Sequence, residues 1–273
     1  MNDSDRKSDR KSDRIKEKNE NEILRRNFTK GSVKTILSIS LLEHLCSTDL
    51  LAAKDKYTAK KWLHAVHEIG LGVKETKISQ IQWQKQVEEL FQNKIELNEL
   101  LKLINFDQIE KSAKFVDNGA RSIRPKLPRS NGYPKSLVFG SQVFALKKGR
   151  SVVPHGHNNM ATAFIVLKGN FHGRHYDRIS DEKDHMIIRP SIDDKFGPGQ
   201  TSSISDEKDN VHWFKAEDEP AFIFNIHVLG LPNKKGPPRR TGRLYIDPEG
   251  EKLDNGLIRA PFIDSKKAHQ KYG

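Results

Sequence analysis

The sequence predicts a mainly β fold, a barrel or a sandwich, preceded by a small α-helical segment. Two textures carry that expectation. From Leu137 onward, short β-rich runs (SLVFGSQVFALKKG, TAFIVLKG, NFHGRHYD, HMIIRP, SSIS and AFIFNIHVLGL) are bounded by Gly, Pro, Asp or Asn, with no helical pattern between them. Many short strands without interspersed helices point to a barrel or sandwich. Between Tyr57 and Phe115 the apolar residues recur instead at helical spacing.

In chain order, residues 1–24 open with the mixed-charge repeat SDRKSDRKSDR and contain almost no apolar residues. Such a segment cannot bury enough surface to offset its ordering entropy, which predicts disorder. Residues 25–53 resemble a twin-arginine export signal. Arg25, Arg26, Phe28 and Lys30 precede a weakly apolar run from Ile36 to Leu45, although Lys34, Glu43 and His44 depart from the pattern. The expectation is export to the periplasm by that route, the alternative being a cytoplasmic protein with an amphipathic helix near Ser32. Residues 54–117 form the helical segment. Trp62, Leu63, Val66 and Ile69 mark one stripe, Ile81, Val87, Leu90, Phe91 and Ile95 a second, and a break is expected near Asn105. His64 and His67 share one helix but have no third ligand near them in the sequence. The Gly-, Pro- and Ser-rich residues 118–135 read as a linker or arm, residues 136–247 as the β-domain, and 248–273 as a loosely packed polar tail.

Composition narrows the chemistry. The chain has 273 residues and a net charge of +12, with 31% charged and 35% hydrophobic residues. The basic residues are interleaved with Asp and Glu, and no aromatic-plus-basic motif accompanies them, which argues against a nucleic-acid partner. No stretch approaches the roughly 18–20 apolar residues of a membrane-spanning helix. The single cysteine, Cys46, excludes an intramolecular disulfide and a thiolate-rich metal site. Histidine and carboxylate chemistry remain.

The informative segment is GRSVVPHGHNNMATAFIVLKG. His155 and His157 stand two apart at the start of a strand pattern, so both side chains face one side and can converge on an ion. A third ligand must come from another strand. His212, in DNVHWF, is the best placed, with His172, His175, His185 and His227 as competitors. His172 and His175 are three apart and point to opposite faces.

The HxH pair, Gly169 at the end of its strand and a distant later histidine resemble the two motifs of the cupin superfamily. The resemblance implies a double-stranded β-helix, or jelly-roll, barrel. The carboxylate ligand usual in the first motif falls on Ala161 or Thr162, which implies a three-histidine site. The segment PHGHNNM, with His155, His157 and Met160, is similar to the PLHxHPGM pattern of the cysteamine dioxygenase and plant cysteine oxidase family. Gly169, His172, Tyr176 and Asp177 resemble that family's GxxHxxxYD strand, and Asp209, His212 and Phe214 its GNxHxF segment. The family's aspartate in the last long strand falls on Asn225. The likeness covers Pro154 to Leu231.

A site of His155, His157 and His212 leaves a divalent ion with open positions, and imidazole ligation suits iron, zinc, nickel or copper. The resemblance implies Fe(II), dioxygen and a small thiol substrate. Tyr176 and His175 are the candidates for substrate contact. Asp206, Asp209, Asn210 and Asn225 are the candidates for orienting the imidazoles. A cupin that binds metal or a small ligand without turnover, or an isomerase or other oxygenase using another metal, would need the same pocket. Export would carry the protein away from the cytosolic thiol pool, so the substrate stays open.

Overall fold

The computed structural model describes residues 56–129, 132–232 and 242–273. The charged repeat, the export-signal resemblance and Cys46 lie outside them. Helix α1 (Ala59–Lys74) starts at Thr58, whose side chain accepts from the Lys61 N–H, and α2 (Gln80–Gln92) starts at a capping box made by Ser79 and Gln82. Two one-to-two-turn helices follow, α3 (Leu97–Leu103) and α4 (Phe106–Ser112), separated at Asn105 by a left-handed residue at φ 53°. Twelve strands come next: β1 (Arg121–Ile123), β2 (Gly140–Leu146), β3 (Ser151–Asn158), β4 (Met160–Lys168), β5 (Phe171–Asp181), β6 (His185–Phe196), β7 (Thr201–Ile204), β8 (Val211–Ala216), β9 (Ala221–Leu229), β10 (Gly242–Tyr245), β11 (Glu251–Lys252) and β12 (Ile258–Pro261). Helix α5 (Ser265–Tyr272) ends the chain. Among the described residues, no helix is long and apolar enough to cross a membrane.

The strands form two antiparallel sheets, ordered β1-β2-β9-β4-β7 and β10-β3-β8-β5-β6-β12-β11. From β2 to β9 the chain crosses repeatedly between the sheets, giving the four-stranded rows β2-β9-β4-β7 and β3-β8-β5-β6. That pairing is the eight-stranded jelly roll, the double-stranded β-helix of cupins. The fold class is therefore a mainly β cupin-type barrel with a small helical segment before it.

Both faces of the smaller sheet are covered, which explains its continuous apolar runs. Along β9, Ala221 and Ile223 join the barrel core while Phe222 and Phe224 turn outward to the helices. Phe106 and Phe115 pack on Phe222, and Phe91 packs on Phe224, with ring centroids 5.2, 5.8 and 6.3 Å apart. Trp62 ties α1 to α2 by donating from Nε1 to the Leu90 carbonyl at 3.0 Å. The exposed edge of β7 is covered by a polar row on α2 at four-residue spacing. Gln84 Nε2 donates to the Ser203 carbonyl, Glu88 accepts from the Ser203 hydroxyl, and Gln80 bonds to Asp206 through both its amide oxygen and its amide nitrogen. Ile81, expected in the apolar stripe, is 38% exposed, because Trp83 and the buried Gln80 and Gln84 take the inward face.

Two further segments take definite places. The 118–135 stretch contains β1, which pairs with β2, and the two histidines of α1 hold it and the residues just after it. His64 Nε2 bonds to the Gly132 carbonyl at 2.7 Å, and His67 Nδ1 accepts from the Val138 N–H at 3.2 Å. The polar tail is an integral layer of the larger sheet: β12 pairs with β6, and α5 buries Ala268 and Tyr272 against Val153 and Trp213.

Gly169, at φ +74°, closes the tight turn between β4 and β5, and a Cβ there would lie 3.1 Å from the Ala221 backbone. Substitution of Gly169 by Ala is expected to cost about 1–3 kcal/mol from the left-handed backbone and the close contact. Chemical denaturation checks this; an unchanged midpoint would contradict the turn geometry.

Candidate metal centre

Antiparallel register brings the distant histidines together. His155 on β3 stands opposite His212 on β8, and His212 stands opposite His175 on β5. Residues opposite one another share a face, so these rings project into the barrel. His157, two residues beyond His155, joins them. Ring centroids are 4.6 Å apart for His155–His157, 4.3 Å for His155–His212 and 5.2 Å for His157–His212. One ligand atom from each of the three lies within 4.8 Å of the others, a grouping that could hold a metal ion.

The barrel interior is divided along its length. One end is an apolar plug that includes Phe144, Phe171, Phe196, Phe214 and Ile223. Phe164 forms the boundary, 5.0 Å from both His212 and Phe214. At the other end, a cavity of about 220 Å³ opens over the three histidines. Its opposite wall comes from the smaller sheet, where Met160, Thr162 and Phe164 on β4 pair across to Leu229, His227 and Asn225 on β9.

Burial sets the protonation state of the site. All three rings are at most 4% exposed. His155 has its pKa pushed down to about 3, first by desolvation and then by the charge of Arg243. Desolvation also holds His157 and His212 well below the usual histidine value, with the neighbouring imidazoles adding to it. The rings are neutral at pH 7, the form in which imidazole binds metal. His155 Nδ1 lies 2.7 Å from the Val153 carbonyl, which can only accept, so the proton sits on Nδ1 and the lone pair on Nε2. Nδ1 of His157 and of His212 are buried without a hydrogen-bond partner. A group that accepts lone pairs suits this set, which contains neither thiolate nor carboxylate; by donor type it fits Fe, Ni, Cu or Zn.

Asn210 holds His157 through its backbone rather than its ring. Its Oδ1 accepts from the His157 N–H at 3.3 Å, and its Nδ2 donates to the His157 carbonyl at 2.9 Å and to the Ser205 carbonyl at 3.0 Å. Gly156 leaves room for this clamp, since a Cβ there would lie 2.7 Å from Asn210 Oδ1. Arg178 adds a bond to the His157 carbonyl at 3.3 Å. Asp209 sits in a turn at φ 53°, its N–H donating to Asp177 and its carboxylate facing Lys208. Asp206 bonds to Gln80 on α2. Neither aspartate hydrogen-bonds to an imidazole among the contacts described. Asn225 does reach the cavity wall, with Oδ1 buried and unpartnered.

The two residues expected to contact substrate do not line the cavity. Tyr176 is adjacent to His175 on β5 and so faces the other way, into an apolar cluster with Met186, Ile188 and Val211. His175 points inward but is screened, its ring packed on Phe214 and Phe196 and its Nε2 3.5 Å from the Ser202 hydroxyl. His172 turns outward to Asp193. His227, a competitor for the third ligand, lines the cavity instead, and so does Arg243, which sequence reasoning missed. The signal for His227 was present, because it shares alternation with Asn225; Arg243 lies on a four-residue strand with no readable pattern.

No family model matches the chain. No curated protein matches it. Among solved structures, the chain is similar to an 11S globulin from Wrightia tinctoria at 14% identity and TM-score 0.34, over 50% of this chain and 29% of the globulin. It is also similar to a double-stranded β-helix protein from Klebsiella pneumoniae at 13% identity and TM-score 0.32, over 50% of this chain and 87% of the other. A cupin superfamily protein from Desulfitobacterium hafniense shares 11% identity at TM-score 0.29, over 43% and 84% of the two chains. The strand pairing carries the fold assignment: a cupin-type jelly roll whose interior holds three histidines able to bind a metal ion.

Proposed function

We propose that this chain is a metal-dependent oxygenase that holds Fe(II) through His155, His157 and His212 and acts on a small substrate, with thiols the class implied by the sequence resemblance. The observation that carries the reading is the buried all-nitrogen triad beneath a cavity. Three neutral ligands leave a bound divalent ion its full charge and vacant positions, which favours an anionic substrate beside dioxygen. The metal, when bound, supplies Lewis acidity and redox chemistry. The chain's own residues do the positioning. β3 and β8 fix the rings, Asn210 fixes the His157 backbone, and Phe164 with the apolar plug closes the floor against water. Export by the twin-arginine route, which carries folded proteins, is compatible with a site loaded before transport and is part of the proposal.

Elemental analysis of the purified protein is expected to show one iron per chain, falling at least tenfold in His212→Ala. Iron-loaded protein is expected to consume oxygen with at least one member of a small-thiol panel. Absence of metal in the wild type overturns the site. Metal without oxygen uptake on any thiol removes the thiol oxygenase and favours a binding cupin. Asn210→Ala removes the clamp on His157 and is expected to weaken metal binding by about 10–100-fold and stability by about 1–3 kcal/mol. Competition with a chelator and urea unfolding check these two effects, and wild-type metal affinity in the variant would contradict the positioning role.

A further inference from the structure

The cavity has a charge pattern that metal binding does not use. Among the described residues, its lining contains one cationic side chain, Arg243, and no carboxylate. β10 pairs with β3 so that Arg243, an exposed residue on the cavity wall, stands directly opposite His157. Among the described residues, no carboxylate forms an ion pair with it. On the facing wall, Thr162 and Asn225 are 1% and 6% exposed, and Thr162 Oγ1 and Asn225 Oδ1 have no partner. Leaving such oxygens unpaired is unfavourable, and a ligand that donates hydrogen bonds relieves it. The cavity of about 220 Å³ has room for a small molecule.

We infer that the cavity selects a small organic acid, whose anionic group pairs with Arg243 while a hydrogen-bond donor on the same molecule meets Asn225 and Thr162. This rests on the proposed metal site, toward which the ligand's metal-binding group is directed. A guanidinium recognises a carboxylate through two parallel N–H donors, so the acid fixes orientation as well as affinity. Amines and neutral thiols of equal size lack that anchor.

The test titrates metal-loaded protein calorimetrically with 3-mercaptopropionate, cysteamine and 2-mercaptoethanol, which differ in carrying a carboxylate, an ammonium or a hydroxyl. A sulfur-free arm compares malonate with malonamide. In at least one arm the acid is expected to bind at least tenfold tighter than its counterparts. Arg243→Gln should abolish that preference at unchanged metal content, and Arg243→Lys should keep part of it. An Arg243-dependent preference for malonate without any thiol binding keeps the acid selectivity and removes the thiol reading. Equal binding of acid and non-acid in both arms, no binding of either acid, or a preference that survives Arg243→Gln overturns the inference. Wild-type protein without metal is read separately by elemental analysis and removes the metal site together with the inference.

Discussion

The structure depends on one constraint, the register of β3 against β8. Pairing His155 with His212 puts two imidazoles from distant parts of the chain on one face, and strand alternation adds His157 to them. A slip of one residue would turn His212 outward and bring Val211 or Trp213 into its place. The rings are buried and neutral, and among the described residues no carboxylate bonds to them, so the arrangement is costly unless something accepts their lone pairs. This conflict between burial and satisfaction is the physical signature of the site.

The surroundings serve that register. Asn210 locks the His157 backbone and reaches Ser205, whose hydroxyl donates to Gln84 on α2 at 2.7 Å. A chain of hydrogen bonds thus runs from the helical segment to the triad. The helices pack directly on the smaller sheet. They cover the outer face and β7 edge of the smaller sheet, and their polar row is continuous with the clamp. On the larger sheet, β11 and β12 extend the row beyond β6, α5 covers Val153 and Trp213, and β10 stands between the ligand-bearing β3 and the sheet edge.

Much of this was legible in the sequence, for reasons that can be stated. The HxH pair is local, and period-two geometry suffices to place both rings on one side. His212 was selected because it opens a strand pattern and follows a turn. The barrel-or-sandwich class followed from short strands without intervening helices, and the jelly roll from the resemblance to the cupin motifs. What stayed hidden was non-local or unpatterned. Adjacent residues on a strand cannot both face a cavity, yet Tyr176 and His175 were both candidates; β5 turns Tyr176 outward, and aromatic packing screens His175. The tail looked too polar to pack because each of its short elements buries only one or two side chains. Gln80 and Gln84 fall outside the expected apolar stripe, and nothing local announces that an edge strand lies opposite them. Arg243 is one arginine among many in a basic chain, and only the pairing of β10 with β3 gives it meaning.

The most direct measurement is a crystal structure of the native protein with anomalous scattering recorded at the iron edge. The account predicts one peak inside the barrel, with a nitrogen of each of the His155, His157 and His212 rings at about 2.0–2.2 Å and no carboxylate ligand. A peak elsewhere, or a barrel in which the ring of residue 212 turns away from the other two, would contradict it.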